Sequence, residues 1–328
     1  MKAWVCDRYT IPYEMEFRDM PVPVPGPGEV QIAVHVTAIA FGETVILEGH
    51  YQVKPPLPYI VGNECSGVVM SVGPNVTGFS KGDRVVVVGF TLAGGALAEV
   101  MCAPQDHVFK FPDNLSFEEA AVVPINYYTS YISLLRRGML QPGETLVVHG
   151  ACGGVGLAGV QLGKYLGARV IATGSSDEKL AVVKALGADH VVNTRGDLRE
   201  ELKALTGGRG ADVFLDPVGG DMFDISMRAI APGGRILVVG ATSGRYGTPR
   251  TNIMLVKNIS VIGVDGGKYR AQAGTHDMIE VLDIVGTGAV RPYYGASFSL
   301  DQADEAFASL AERSFVGKCI LVNPSPRA

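Results

Sequence analysis

The sequence predicts a two-domain α/β protein, with a doubly wound parallel sheet in one domain and a smaller β-rich fold in the other. The chain has 328 residues, about twice the length of an ordinary domain. Short segments of alternating polarity fill its first third, whereas strands and helices alternate from residue 145 onward, a rhythm typical of parallel sheets. Glycine is abundant, at 42 residues, which indicates many tight turns between strands and helices.

The first region is predicted to be mainly β-structure. Residues 31–37 alternate between apolar and polar side chains, as a half-buried strand does. A proline-rich arm at 21–28 precedes this strand, and further short strands are predicted at 65–72 and 84–88. His35 and His107 lie in this region, and we interpret both as strand histidines rather than metal ligands.

The alternation of strands and helices begins after a capping-box signature at Ser116–Glu119 and a predicted helix at 127–137. The predicted strands are 145–149, 169–172, 190–192, 213–216, 235–239 and 258–264, and the predicted helices are 157–166, 178–186, 198–205 and 222–230. A helix at 302–310 and a strand at 318–322 are predicted in the tail. We expect strand 258–264 at the edge of the sheet, paired with a second subunit of a homodimer, because pairing hides an exposed edge.

Composition excludes several kinds of partner. The 28 basic and 33 acidic residues give a net charge of −5, and no basic cluster argues for nucleic acid. No segment reaches the roughly 18 apolar residues of a membrane-spanning helix, and the N-terminus has no secretory signal. The five cysteines are widely spaced and form no C-x-x-C pair, so we expect a cytoplasmic protein with reduced thiols.

The strongest motif is a glycine loop between a predicted strand and a predicted helix. Ala151, Gly153 and Gly156 have the spacing of G-x-G-x-x-G with alanine first, and Gly154 and Val155 lie between them. Small residues allow the tight turn, and the backbone N–H groups at the helix N-terminus attract a pyrophosphate. The loop therefore predicts dinucleotide binding.

The residues after the second predicted strand favour NADPH over NADH. An NAD site needs a carboxylate there, about 20 residues after the glycine loop, to bind the ribose hydroxyls. This chain has Ser175 and Ser176, followed by Lys179, and a hydroxyl with an ammonium suits a 2′-phosphate. We interpret Asp177 and Glu178 as acidic first-turn residues that stabilise the next helix.

Taken together, several motifs resemble one enzyme family along essentially the whole chain. They are PYIVGNExSGxV at 58–69, GDRV at 82–85, GAxAEV at 95–100, PGET at 142–145 and the glycine loop. The chain is similar to the medium-chain dehydrogenase/reductase superfamily, in its zinc-independent quinone oxidoreductase (zeta-crystallin-like) branch. The resemblance implies a GroES-like catalytic domain of residues 1–122 and 267–328, and a Rossmann dinucleotide-binding domain of residues 123–266.

The zinc-dependent branch of this superfamily places three metal ligands at positions that correspond here to Ala40, Asn63 and the vicinity of Ile125. None of these side chains supplies the thiolate or imidazole that zinc needs. Glu64 is present, but one carboxylate does not hold zinc, and the four-cysteine structural lobe is absent. We therefore expect no metal. Ala40 also replaces an asparagine common in the quinone oxidoreductase branch, which leaves the substrate side more apolar.

The resemblance implies an NADPH-dependent oxidoreductase that transfers a hydride to a quinone or to the alkene of an α,β-unsaturated carbonyl compound. Candidate proton donors are Tyr51, Tyr127, Tyr128 and water, and Thr129 matches a family threonine near the nicotinamide. Two alternatives stay open: an enoyl-CoA reductase for a thioester such as acryloyl-CoA, and a non-catalytic NADPH-binding protein with a structural or regulatory role.

The resemblance also assigns other cofactor contacts, namely Phe41, Thr129, Val218, Gly240, Ala241, Thr242 and Lys318. Four cations flank the expected binding site: Arg245, Arg250, Lys268 and Arg270. We interpret them as solvated loop charges, with binding of a carboxylate or of a coenzyme A phosphate as the alternative.

Overall fold

The computed structural model describes residues 1–52, 54–89 and 95–324. The chain divides into two compact units, one formed by Met1–Ile125 with Met278–Ala328 and the other by Asn126–Asp277. The sequence predicts domain boundaries after residues 122 and 266, and both precede the boundaries of the structure, which follow Ile125 and Asp277. The second difference has a physical reason, because Gly266 lies against Thr129 and its neighbours and so continues the second unit.

The described part of the chain contains sixteen strands in three sheets. They are β1 Lys2–Cys6, β2 Glu16–Asp19, β3 Glu29–Ile39, β4 Tyr59–Ile60, β5 Glu64–Val72, β6 Arg84–Val88, β7 Val100–Pro104, β8 Val108–Lys110, β9 Thr145–Val148, β10 Arg169–Gly174, β11 His190–Asn193, β12 Ala211–Asp216, β13 Ile230–Val238, β14 Ser260–Gly263, β15 Tyr294–Ser299 and β16 Lys318–Val322. Their orders are β2-β1-β4, β15-β16-β3-β5-β6-β8 with β7 also on β3, and β11-β10-β9-β12-β13-β14.

Eleven α-helices are present in the same described residues. They are α1 Phe41–Leu47, α2 Phe117–Ala121, α3 Tyr128–Tyr131, α4 Gly154–Tyr165, α5 Asp177–Ala185, α6 Leu198–Leu205, α7 Asp221–Ala229, α8 Thr251–Lys257, α9 Gly266–Ala273, α10 His276–Gly286 and α11 Ala303–Ala311. The predicted helix 127–137 is a short α-helix, α3, flanked by π-helical segments Val123–Tyr127 and Ile132–Arg137. Within these residues, no helix is both long and apolar enough to cross a membrane.

The first unit is built around β3. This eleven-residue strand contains the predicted strand 31–37 and pairs antiparallel with β5, β7 and β16. Its inward side chains, such as Ile32 and Val34, pack in a core with Cys65 and Val87 of the neighbouring strands. Strand β16, near the C-terminus of the chain, pairs with the last residues of β3. The first residues of β5 pair with the same end of β3, on its other side.

The second unit is a doubly wound parallel sheet. Its order runs outward in one direction from β9 through β10 to β11, and in the other from β12 through β13 to β14, so the direction reverses between β9 and β12. Its central strands are almost wholly buried, which fits the helices expected on both faces. The predicted fold class is thus confirmed, and β14 lies at the sheet edge as expected, although it is shorter than residues 258–264.

Sequence reasoning missed several elements, among them β1, β2, β15, α8, α9 and α10. Helix α10 carries a helical apolar pattern at Met278, Val281, Leu282 and Val285, and all four side chains are buried. Strand β1 is buried along four of its five residues without polar alternation, so a period-two search does not detect it.

Candidate active site

The glycine loop connects β9 to α4 in the second unit. Gly150 has a left-handed backbone with φ of 57°, and Gly153 is the extended N-cap residue of α4. A Cβ atom at Gly156 would lie 2.3 Å from the Gly150 carbonyl oxygen, so only glycine allows the loop to pack this closely on the helix. The first turn of this twelve-residue helix contains Gly154 and Gly156, and backbone N–H groups at such a helix N-terminus fit a dinucleotide pyrophosphate.

The turn after β12 lies beside the glycine loop. The Asp216 carboxylate accepts hydrogen bonds from the N–H groups of Val218 and Gly219, at 2.9 and 2.8 Å, and this holds the turn in shape. The Val218 side chain packs on the backbone of Gly150, because a Cβ atom built there would approach it to 2.9 Å. Val218 thus occupies the reversal point of the sheet, where doubly wound folds bind ligands.

The turn after β13 is fastened to the same place. The Thr242 N–H donates to the carbonyl oxygen of Pro217 at 3.1 Å, and the Ser243 N–H donates to that of Val218 at 3.1 Å. Ala241 lies 3.5 Å from where a Cβ atom of Gly219 would be. The structure therefore gathers the predicted contacts Gly240, Ala241 and Thr242 with Val218 and the glycine loop at one edge of the sheet.

The predicted 2′-phosphate residues follow β10. Ser175 is exposed, whereas the Ser176 hydroxyl caps α5 by accepting a hydrogen bond from the Lys179 N–H at 3.4 Å. Burial raises the pKa of the nearby Cys152 thiol in the glycine loop, and the Lys179 ammonium opposes that rise, so this charge acts on the loop itself. The Asp177 carboxylate, in contrast, accepts a hydrogen bond from the Asn193 amide at 2.7 Å.

The π-helical region packs on α4 through polar contacts. Tyr127 is 2% exposed, and its hydroxyl donates to the Gln161 side chain at 2.8 Å. The Ser130 hydroxyl donates to the Val155 carbonyl oxygen at 2.7 Å. Thr129 is buried between these two anchored residues, and burial raises the pKa of the neighbouring Tyr128. Local π-helical turns often occur at functional positions.

Sequence reasoning missed Asn126, whose buried side chain lies directly against the glycine loop. A Cβ atom at Gly154 would come within 2.1 Å of the Asn126 amide nitrogen. Gly154 occupies a variable position of the fingerprint, where dinucleotide binding does not itself require glycine. The glycine at this variable position therefore indicates that another side chain packs closely against the backbone there.

Two predicted residues lie in the first unit. Phe41 is the first residue of α1 and is 46% exposed. Tyr51 follows that helix and packs, partly buried, on a core cluster that includes Leu47 and Phe307. Tyr51 therefore belongs to the same unit as Phe41, whereas Tyr127 and Thr129 belong to the other.

The three positions that correspond to zinc ligands do not fit a metal. Ala40 has no donor atom, the Asn63 amide contacts Glu43 Oε1 at 3.5 Å, and Ile125, near which the third position falls, is apolar. In the described ranges, no three or more His, Cys, Asp and Glu side chains form a group that would hold a metal ion. We derive no metal-dependent step for this donor set.

Buried charges occupy this region instead. The Lys318 ammonium forms an ion pair with the Glu64 carboxylate, and both side chains are almost fully buried. Burial raises the pKa of Glu64 and raises that of Glu43 to about 7, while the Lys318 charge opposes both shifts. The resemblance assigns Lys318 to cofactor binding, but in this structure its ammonium forms an ion pair with Glu64. Sequence reasoning did not identify Glu43.

The flanking cations have acidic partners. Arg245 pairs with Asp221 at 2.7 Å, and Arg250 with Asp224 at 3.5 Å. Lys268 lies 3.9 Å from Asp265. These exposed pairs fit solvated charges better than a site for an acidic substrate. Lys268 and Arg270 lie on helix α9, however, so for these two the prediction of a loop position was wrong.

Known families and structures resemble this chain along most of its length. The alcohol dehydrogenase GroES-like domain matches residues 26–113, and the zinc-binding dehydrogenase family matches residues 154–286. The quinone oxidoreductase-like protein 2 homolog of Nematostella vectensis is 40% identical over 296 residues, which cover 88% of this chain and 80% of that protein.

Two solved structures agree with these matches. A crystal structure of an NAD-dependent alcohol dehydrogenase has a TM-score of 0.90 and 34% identity, with 98% of this chain and 99% of that chain covered. The Escherichia coli quinone oxidoreductase, solved in complex with NADPH, has a TM-score of 0.89 and 28% identity, with 98% and 100% covered. The chain belongs to the medium-chain dehydrogenase/reductase superfamily of oxidoreductases, in its quinone oxidoreductase branch. The resemblance stated from the sequence is confirmed.

Proposed function

We propose that this protein is an NADPH-dependent, zinc-independent reductase of quinones or of alkenes conjugated to a carbonyl group. The observation that carries the proposal is the dinucleotide loop, with Ser175 and Lys179 in place of the carboxylate of an NAD site. The NADPH complex of the Escherichia coli relative supports it. Because another similar structure is of an NAD-dependent alcohol dehydrogenase, the affinities for NADPH and NADH should both be measured.

The residues of the second unit would bind and orient the cofactor. The first-turn N–H groups of α4 would hold the pyrophosphate, and Ser175 with Lys179 would hold the 2′-phosphate. Val218, residues 240–242 and Thr129 are proposed to contact the nicotinamide side. The bound cofactor supplies a hydride, which is the chemistry that the side chains alone cannot provide.

Hydride transfer must be followed by a proton transfer to the substrate. Hydride addition at the β-carbon places the electron pair of the alkene on the carbonyl oxygen and the α-carbon, and a proton must then reach the α-carbon. We propose Tyr51 or water as the donor, because Tyr127 uses its buried hydroxyl to donate to Gln161. Phe41, exposed at the start of α1, would present an apolar surface to the cofactor or substrate.

The test is NADPH oxidation by the purified protein with a panel of enones, quinones and enoyl thioesters. Turnover of an enone or quinone supports the proposal, and preference for a thioester would identify an enoyl-CoA reductase instead. Binding of NADPH without turnover of any acceptor would overturn the enzymatic proposal and favour a structural or regulatory role.

We also propose a homodimer through the edge strand β14, which follows α8 in the chain. Leu255 and Val256 of α8 are exposed.

A further inference from the structure

Three charged side chains of the first unit lie together without access to water. Glu43, Glu64 and Lys318 are 1%, 0% and 3% exposed, and we refer to them as the buried charge cluster. Removing charges from water is so costly that a buried ion pair is weak evidence for stability. Such a cluster is therefore better explained by the geometry that it imposes than by the stability that it adds.

The cluster joins separate parts of the first unit. Glu43 lies on α1, Glu64 begins β5 and Lys318 begins β16. The Glu43 carboxylate accepts hydrogen bonds from the N–H of Ala40 and from the N–H of Asn63, the latter at 3.3 Å. The Glu64 carboxylate accepts one from the Ile125 N–H at 2.8 Å.

Those three backbone donors belong to one set of positions. By the family resemblance, Ala40 and Asn63 correspond to metal ligands of the zinc-dependent branch, and the third ligand falls near Ile125. In this chain Ala40, Asn63 and Ile125 each give the backbone N–H to a carboxylate of the cluster. The three chain segments are therefore joined through hydrogen bonds to two carboxylates, one of which pairs with the Lys318 ammonium. The Glu43 bond to Ala40 also closes the N-terminus of α1, just before Phe41.

We propose that Glu43, Glu64 and Lys318 are positioning residues, which hold the first turn of α1 and thereby place Phe41 and Tyr51 for catalysis. This inference rests on the proposed reductase function. The members of the cluster do not touch the reacting atoms in this scheme; they act through α1 and through the segment that follows it.

The charge balance of the cluster adds a dependence on pH. The groups that face Glu43 are the Lys318 ammonium, the Glu64 carboxylate, the Asn63 amide and the Tyr59 hydroxyl. One ammonium balances one carboxylate, so the pKa of about 7 for Glu43 means that this acid is neutral at lower pH. Its ionisation above that pH adds a second buried negative charge, which weakens the hold on α1.

The experiment compares Glu43→Leu and Glu43→Gln with Glu48→Gln, a control on the residue that ends the same helix. The measurements are the NADPH dissociation constant, and kcat and KM for an enone between pH 5.5 and 8.5, chosen as roughly one and a half units either side of the expected ionisation. Glu43→Leu should lower kcat by about 10²-fold through misplacement, with NADPH affinity within about twofold of wild type. Glu43→Gln should recover most of kcat at low pH, because its carbonyl oxygen still accepts from Ala40.

The pH profile separates positioning from general support of the fold. Wild-type kcat should fall above pH 7 and that of Glu43→Gln should not, whether or not Glu43→Leu folds. Matching profiles for wild type and Glu43→Gln, or full activity in folded Glu43→Leu, would overturn the inference. If the wild type reduces no acceptor, the proposed function fails. The inference is then tested separately by hydrogen exchange of the backbone amides of residues 41–47. Faster exchange in the Glu43 variants than in Glu48→Gln supports it, and equal exchange overturns it.

Discussion

Two sets of buried polar groups, one in each unit, are stabilised in different ways. In the second unit, the fully buried His149 makes neutral hydrogen bonds at 2.8 Å to the hydroxyls of Thr173 and Ser226, and burial lowers its pKa. In the first unit, the buried charge cluster contains full charges. The neutral contacts of His149 add no charge beside the glycine loop, so an anion there would be attracted by the backbone N–H groups and by Lys179. The buried charge cluster of the first unit makes the stability of the fold depend on its ion pair and on pH. This contrast can be tested.

The largest expected effect is the loss of the lysine from the cluster. Lys318→Met leaves Glu64 buried without its partner, and breaking a buried pair in this way costs about 3–5 kcal/mol of unfolding free energy. The double variant Glu64→Gln/Lys318→Met should recover most of the loss, since no unpaired charge remains at that pair. Urea unfolding of both variants measures this, and a double variant no more stable than the single one would contradict it.

The next effect is a pH dependence of stability that belongs to Glu43. Its pKa rises from 4.5 to about 7 on folding, so the stability that is present below pH 4.5 is lost as pH rises towards 7. That shift corresponds to about 3 kcal/mol. Glu43→Gln lacks this loss, so its stability relative to wild type should increase across that window and then level off.

Urea unfolding at several pH values checks the Glu43 prediction. Glu48→Gln serves as the control, because the partly exposed Glu48 side chain lies at the C-terminal end of the same helix and outside the cluster. A constant difference between wild type and Glu43→Gln at all pH values would show that Glu43 does not change its ionisation on folding.

In the second unit, the corresponding charge effect is on ligand affinity. Lys179→Ala should weaken NADPH binding by about tenfold or more, since a hydrogen bond to a charged group contributes roughly 1.5–3 kcal/mol. NADH affinity should hardly change, and the salt dependence of NADPH binding should become shallower. Ser175→Asp should go further and favour NADH, because the carboxylate repels the 2′-phosphate. Equal losses for both cofactors in Lys179→Ala would instead indicate a supporting role for the lysine.

A packing prediction concerns Asn126. Gly154→Ala places a methyl group on the Asn126 amide and should destabilise the protein by about 1–3 kcal/mol, as overpacking does. Adding Asn126→Ala should relieve the clash, so the double variant should be more stable than Gly154→Ala alone. Thermal unfolding of the two single variants and the double variant forms the cycle, and additive losses would show that the two residues do not interact.

The smallest expected effect concerns association. Light scattering at micromolar concentration should show a wild-type dimer, because β14 leaves one edge of its sheet unpaired within the described chain. Leu255→Lys places a charge on the exposed surface of α8 and should shift the equilibrium towards the monomer, with little change in stability. Thr251→Lys, at the exposed start of the same helix, is a matched control. A monomeric wild type would contradict the prediction.

The sequence by itself determined the parallel sheet and the location of the glycine loop. Both are local: strand and helix periodicity repeats within about ten residues, and the loop requires small side chains at fixed spacing. Helix α6 and strand β16 have the bounds that periodicity predicts, 198–205 and 318–322. The resemblance of the motifs then gave the superfamily and the absence of the usual zinc ligands.

Only the tertiary structure decided how the polar groups are used. Lys318 and Glu64 are 254 residues apart in the chain, and they meet because β16 and β5 pair with the same strand. Asn126 and Gly154 likewise meet only when the π-helical segment packs on α4. No periodicity records such meetings, because a buried charge takes its partner from whichever strand the fold places beside it, and burial sets its ionisation.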